Sequence, residues 1–168
     1  IGFTFCFYGN SYTNFNVSDN GIVRFGYNPL TPEGSFSSIT NTTPSPSLVR
    51  NAIFGSFHDY IVAPVGFGCT TNCGTISYST IGTAPFRKTI INFNGLNYFN
   101  CLGADARKAY FQIVILETTN EIDVNVQDKP LPCLGNSSAN GNGNSLIGLN
   151  NADGTIGVAA PGRNTSEF

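Results

Sequence analysis

The segment from residue 108 to residue 127 constrains the fold of this chain more than any other. Residues 110–116 place two sets of side chains at alternating positions, and residues 121–127 alternate Ile and Val with polar side chains. This period of two is typical of β-strands, in which successive side chains point to opposite faces. The short polar segment 117–120 predicts that the second strand folds back on the first as an antiparallel hairpin. We therefore expect an all-β protein.

Turn signals divide the rest of the chain into further short strands. Residues 18–21 read Ser-Asp-Asn-Gly, which predicts a tight turn because Asn and Gly tolerate positive φ. Residues 28–48 are rich in Pro, Ser and Thr and predict a long irregular loop. The predicted strands cover residues 1–8, 12–17, 22–27, 51–62, 75–80, 87–93, 110–116, 122–126, 146–149 and 155–159. Because no segment has a helical period, we expect an antiparallel β-sandwich or jelly-roll-like fold of about nine or ten strands.

Length and composition narrow the class of protein. The 168 residues suit one domain, and only 11% of them are charged, with many Gly, Asn, Ser and Thr residues, a composition typical of secreted β-proteins. Eight scattered Lys and Arg residues argue against a nucleic-acid partner. No apolar stretch reaches the roughly 18 residues of a membrane-spanning helix. Residues 1–5 read as a strand and not as a signal peptide, so we expect residues 1–168 to be one extracellular domain of a much larger multidomain protein.

The five cysteines favour disulfide bonds. Cys69 and Cys73 enclose a short loop, and Cys101 and Cys133 flank the central hairpin, so these two pairings are the ones that spacing favours. They would stabilise the fold by about 2 and about 4 kcal/mol. A zinc site is disfavoured because the cysteine spacing does not fit and His58 is the only histidine. We expect Cys6, which lies between two Phe residues, to be a small core side chain, with a partner outside this segment as the alternative.

Few residues suggest catalysis or metal binding. His58 and Asp59 are adjacent, but neighbours on a strand point to opposite faces and could not pair as in a catalytic triad. Glu117 and Glu121 flank a turn and are poor candidates for a glycosidase pair. We therefore predict no catalytic residues and no cofactor. Calcium remains an alternative, with oxygen ligands from two clusters, although Asx-rich turns explain both without metal. The clusters are Asp19 with Asn20, and Asn150 and Asn151 with Asp153.

Two further features of the sequence concern sugars: possible glycosylation sites and possible sugar-binding residues. Four Asn-X-Ser/Thr triplets could accept a glycan in a host with that machinery, although a chain rich in Asn and Thr produces such triplets by chance. They begin at Asn16, Asn41, Asn136 and Asn164. Exposed Tyr and Asn residues on loops also suit sugar recognition by stacking and amide hydrogen bonds, and equally suit ordinary solvated strands.

A succession of segments resembles an adhesin-like domain of very large cell-surface proteins in gliding Bacteroidetes, and more distantly nidogen-type extracellular domains. The matching segments span nearly the whole chain, and their order is more specific than any one of them. They are residues 3–12, 18–21, 51–59, 74–85, 113–122, 127–130 and 161–164. The sequence departs from that pattern at Phe57 and Phe86, where Trp and Cys are expected, and in the Pro-rich loop, which lacks a Cys.

This resemblance implies a noncatalytic extracellular module in a protein of the gliding-motility and type IX secretion class. We expect it to mediate cell adhesion or filament assembly by contacting a polysaccharide, an abiotic surface or a neighbouring subunit. The main alternative is an accessory or catalytic module of a secreted carbohydrate-active enzyme. A third hypothesis is assembly by strand exchange, in which a strand of an adjacent subunit completes a sheet.

Overall fold

The computed structural model describes residues 1–26, 40–62, 74–99, 108–129, 131 and 143–168. Every regular element in these ranges is a β-strand. The strands are β1 (Phe5–Phe7), β2 (Asn10–Tyr12), β3 (Asn16–Ser18), β4 (Ile22–Arg24), β5 (Ala52–Phe57), β6 (Tyr60–Ile61), β7 (Thr75–Ile81), β8 (Lys88–Tyr98), β9 (Lys108–Leu116), β10 (Ile122–Asp128), β11 (Asn144–Asn150) and β12 (Gly157–Glu167). None of the described segments is a helix long and apolar enough to span a membrane.

The strands form two five-stranded antiparallel sheets and a separate hairpin. Sheet I has the order β12-β11-β5-β4-β3. Sheet II has the order β10-β9-β8, and both β6 and β7 pair with β8 at its other edge. Strands β1 and β2 pair only with each other among the described strands. The predicted all-β, antiparallel sandwich class is confirmed, and so is the β9–β10 hairpin, in which Ile122 lies opposite Ile115.

The described part of the chain has two more strands than the ten segments that the sequence predicts, for two local reasons. The segment predicted as one strand over residues 12–17 belongs partly to β2 and partly to β3. The segment predicted over residues 51–62 is broken at His58 and Asp59, and β5 and β6 belong to different sheets. An apolar run reads the same whether the chain continues straight or turns a corner, so composition alone does not reveal this break.

The main core lies between the two sheets and is rich in phenylalanine. Sheet II contributes the buried face of β8 and β9, and β1 contributes Phe5 and Phe7. Cys6, between them on β1, points outward and is exposed, so its predicted place in the core is wrong. The reason is the strand period of two, which places a residue between two buried neighbours on the opposite face.

A second apolar cluster covers the opposite side of sheet I. It contains Ile22, Leu48, Ala52, Phe54, Phe57 and Leu146. Strand β5 is therefore buried on both faces, since Ile53 belongs to the main core while Phe54 belongs to the second cluster. Edge strands β10 and β12 each pair on one side only among the described strands. The strand-exchange hypothesis accordingly stays a prediction.

The two sheets approach most closely where β5 meets β9, and Gly55 permits that approach. A Cβ atom at Gly55 would lie 2.7 Å from both Cδ1 and Cγ1 of Ile113. We expect Gly55→Ala to destabilise the domain by about 1–3 kcal/mol through overpacking. In an Ile113→Ala background the same change should cost measurably less, because the clashing atoms are gone. Urea unfolding of the two single variants and the double variant measures this coupling.

The control for this cycle is Leu96→Ala, which also truncates a buried core side chain but has no contact with a Cβ at Gly55. Its effect should add to that of Gly55→Ala. Equal costs of Gly55→Ala in the wild-type and Ile113→Ala backgrounds would show that this contact does not set the sheet separation.

Candidate functional site

The corner where the chain crosses from sheet I to sheet II gathers the buried polar side chains that could carry chemistry. We call it the polar corner. It consists of Asn20, Ser56, His58, Asp59, Tyr60, Tyr98, Lys129 and Ser145, all of them buried. His58 and Asp59 lie in the bend between β5 and β6, and not on a strand as the sequence predicts.

The turn between β3 and β4 clamps this corner. Gly55 N donates to Gly21 O at 2.9 Å, and His58 N donates to Asn20 O at 3.3 Å. The Asn20 side chain then accepts a hydrogen bond from Tyr60 N on its Oδ1 at 2.8 Å. Gly21 has a φ of 80°, and a Cβ there would lie 2.9 Å from Ser56 O, so the turn requires glycine. The Asp-Asn-Gly turn thus satisfies main-chain groups that the strand break would leave unpaired.

A chain of hydroxyl groups crosses the corner behind this clamp. Ser56 Oγ lies 3.1 Å from Tyr60 Oη and 3.1 Å from Ser145 Oγ. Ser145 Oγ donates in turn to Phe57 O at 3.2 Å. Burial raises the pKa of Tyr60 to about 12, and burial also raises the pKa of Tyr98. These hydroxyls stay protonated at neutral pH and join β5, β6 and β11.

His58 is held as a neutral base with one ring nitrogen occupied. Asp59 N donates to His58 Nδ1 at 2.8 Å, so the proton of the neutral ring is on Nε2. The ring packs edge-on against Tyr98, with centroids 4.7 Å apart, and only 1% of the residue is exposed. Nε2 has no hydrogen-bond partner in the described part of the chain. Burial, with a smaller contribution from the charge of Lys129, lowers the pKa of His58 to about 4.

Lys129 adds a buried cation to the same corner. Its Nζ donates to Gly143 O and lies 4.7 Å from the centroid of the Phe168 ring. Burial lowers the pKa of Lys129 to about 8, so the ammonium group is predominantly charged at neutral pH. The lysine ties the end of β10 to the start of β11 and disfavours a second positive charge on His58.

These contacts do not assemble a nucleophile and base among the described residues. Ser56 Oγ bonds to Tyr60 and Ser145, and the Nδ1 atom of His58 accepts from a main-chain amide. A triad needs a histidine nitrogen free to accept the proton of a nearby hydroxyl. The arrangement instead braces the fold, because the hydrogen bonds of a buried polar network favour one arrangement of the strands around it, even with Nε2 of His58 unpaired among the described residues.

Glu117 is likewise held by contacts that stabilise the fold. Its two carboxylate oxygens accept from Arg87 Nε at 2.8 Å and Arg87 Nη2 at 2.6 Å, and one of them also accepts from Arg87 N. Arg87 Nη1 donates to Gly2 O, which ties the amino-terminal segment to sheet II. Hydrogen bonds from Arg87 lower the pKa of Glu117, so this carboxylate is ionised at neutral pH and unsuited to act as a general acid.

Most of the calcium candidates have side chains that are engaged in contacts within the fold. Asp153 Oδ1 accepts from Thr155 N at 3.0 Å and from Thr155 Oγ1 at 2.6 Å. Asn150 donates through Nδ2 to Ser45 O at 2.9 Å. Asn20 supports the polar corner, and burial raises the pKa of Asp19. The described residues contain no group of three or more His, Cys, Asp or Glu side chains suited to a metal ion. The calcium alternative itself stays untested.

The predicted modification sites fall partly outside the described residues. Cys69, Cys73, Cys101, Cys133 and Asn136 all do, so both disulfides and that glycosylation triplet stay predictions. Asn16 lies on β3, and Asn41 Nδ2 is 3.4 Å from Ser47 O. Asn164 exchanges two hydrogen bonds with the main chain of Thr43, which occupy its side-chain amide.

Several members of the polar corner could not be recognised from local sequence patterns. Ser145, Tyr98 and Lys129 come from segments far apart in the chain, and each reads alone as an ordinary strand or loop residue. The only local signals were the turn over residues 18–21 and the adjacent His58 and Asp59. Their contact links two segments that carry the resemblance described above.

A family model described as NIDO related, that is nidogen-related, matches residues 1–167. The chain belongs to the nidogen-related family. This confirms the nidogen-like part of the resemblance, and the match covers both the polar corner and the two sheets. No curated protein and no solved structure gives a significant match.

The neutral state of His58 predicts a pH dependence of stability. His58 takes up a proton near pH 6.5 in the unfolded chain but only near pH 4 in the folded chain. The contribution of the neutral histidine to the free energy of unfolding is therefore fully present above pH 6.5 and is lost as the pH falls from 6.5 toward 4. Between pH 7 and pH 5 the loss should be about 2 kcal/mol. Because His58 is the only histidine, urea unfolding at several pH values measures its contribution when the wild type is compared with a variant that lacks it.

The matched variant is His58→Asn, whose side-chain oxygen can still accept from Asp59 N. Its stability should change less between pH 7 and pH 5 than that of the wild type, while both retain the same carboxylates. Parallel stability curves for the two proteins would contradict the buried, neutral histidine.

Proposed function

We propose that this domain is a noncatalytic extracellular module of a bacterial cell-surface adhesin or filament protein. The observation that carries the proposal is that two side chains with acid or base chemistry, His58 and Glu117, are engaged in internal contacts. His58 is buried with Nδ1 occupied, and Glu117 is held by Arg87. Such groups stabilise the sandwich and are not available to a substrate, which leaves surface recognition as its function.

Membership in the nidogen-related family supports an extracellular role. The order of the segments that resemble adhesin-like domains of gliding Bacteroidetes supports the finer proposal of a gliding-motility or type IX secreted protein. The low charge and the abundance of amides and hydroxyls suit a surface that contacts polysaccharide, an abiotic surface or a neighbouring subunit. We propose no cofactor for this function.

An assay of turnover separates this proposal from a carbohydrate-active enzyme. The secreted parent protein, incubated with plant and algal polysaccharides, should release no reducing ends, while beads coated with it should be retained on a polysaccharide surface. Release of reducing ends that disappears in Asp59→Ala or Glu117→Gln would overturn the proposal. Arg87→Lys serves as a control, because it weakens the Glu117 pair without removing the carboxylate.

A thiol count tests the extracellular, disulfide-bonded part of the proposal. After secretion into an oxidising medium and denaturation without reductant, we expect one cysteine to react with a maleimide and five to react after reduction. The single reactive thiol should be Cys6, which Cys6→Ser identifies as a control. Five reactive thiols before reduction would show that the predicted Cys69–Cys73 and Cys101–Cys133 bridges do not form.

A further inference from the structure

The outer face of sheet II carries a band of amide side chains around one tyrosine. We call this band the amide face. It consists of Asn92, Asn94, Tyr110, Gln112, Asn125 and Gln127. The opposite face of the same strands packs into the core, with Phe93 and Phe111 stacked at a centroid distance of 4.4 Å. The amide face is therefore held on a rigid, well-packed support.

The strand register aligns these amides across the sheet. Asn92 lies opposite both Ser77 and Gln112, and Gln112 lies opposite Asn125, so one line of polar side chains crosses β7, β8, β9 and β10. Gln112 Nε2 donates to Asn92 Oδ1 at 3.2 Å, which orients both amides. This hydrogen bond does not use Asn92 Nδ2, a donor, or Gln112 Oε1, an acceptor.

Tyr110 lies on β9 two residues before Gln112 and opposite Asn94 on β8. Both neighbouring strands are irregular near it. Strand β8 shifts register between Asn94 and Leu96, and strand β10 shifts between Val126 and Asp128. Gly95, in the first of these bulges, has a φ of 69°, and a Cβ there would lie 3.5 Å from Tyr110 Oη. Bulges bend a strand and redirect its side chains. Here they accompany a depression of about 240 Å³ lined by the amide face.

We propose that the amide face binds a neutral glycan, an inference that rests on the proposed attachment function and assigns its ligand. Paired amide donors and acceptors match the neighbouring hydroxyl groups of a sugar ring, because each hydroxyl both donates and accepts. The ring of Tyr110 offers an apolar surface beside them and a hydroxyl at its end. The sequence suggested such residues on loops, whereas the structure places them on the surface of a sheet.

Charge selects the class of glycan. The described residues that line the depression are all uncharged. Three charged residues lie at its margin: Asp123 and Asp128 on β10, opposite Val114 and Tyr110, and Lys108 on β9, two residues before Tyr110. A sulfated or uronic acid polysaccharide would therefore find no cation in the lining, and at the margin the two carboxylates outnumber the one lysine. The site is shallow, so each contact is weak, and several copies on one surface would bind by avidity.

The experiment measures binding of the domain to soluble polysaccharides by affinity electrophoresis and calorimetry. The neutral probes are xylan, mannan and a mixed-linkage glucan, and the acidic probes are alginate and heparin. At least one neutral probe should retard the wild type. Gln112→Ala should weaken that binding about tenfold, which is the loss of one to two hydrogen bonds. Tyr110→Ala should weaken it comparably, and Tyr110→Phe should weaken it less.

Two controls match these variants. Asn10→Ala removes an exposed amide on β2, and Ser79→Ala removes a polar side chain of β7 outside the depression. Both should bind as the wild type does, and thermal unfolding confirms that each variant is folded. Binding of acidic probes alone, or binding unchanged in Gln112→Ala and Tyr110→Ala, would overturn the inference. Retention of beads that is equal for wild type and Gln112→Ala would overturn it while leaving the attachment function intact.

Discussion

The clamp of the β3–β4 turn on the break between β5 and β6 is the interaction on which the rest of the structure depends. One chain segment has to leave sheet I and enter sheet II within two residues, and its main-chain amides need new partners there. Asn20 supplies them through its carbonyl and side-chain oxygens. With this corner fixed, β5 stays buried on both faces and β6 aligns with β8.

The clamp also explains why residues with catalytic potential lie in the interior. Four such side chains lie in the buried polar corner: His58, Tyr60, Ser56 and Lys129. Each forms a hydrogen bond with a neighbouring group, and the charge of Lys129 also disfavours a charge on His58. Burying such a network costs desolvation energy, and its hydrogen bonds favour one arrangement of the strands. The domain thus keeps its buried ionisable and hydroxyl groups in the polar corner and presents neutral amides on the outer face of sheet II.

Local patterns predicted most of the strands but not the contacts between residues that are far apart in the chain. Alternation in residues 110–116 and 121–127 predicted the β9–β10 hairpin and the two opposite faces of each strand, because a period of two reports directly on the faces of a strand. The break at His58 was missed, since burial on both faces removes alternation from β5. The amide face was missed as well, because it requires the register of four strands, which no local pattern encodes.

The only histidine of the chain, His58, is a buried and neutral part of the fold. Nuclear magnetic resonance of the His58 ring nitrogens tests this neutral state directly, because the chain has no other histidine. The account predicts a neutral ring protonated at Nε2 that titrates near pH 4. A ring that titrates near pH 6.5, or that carries its proton on Nδ1, would contradict it.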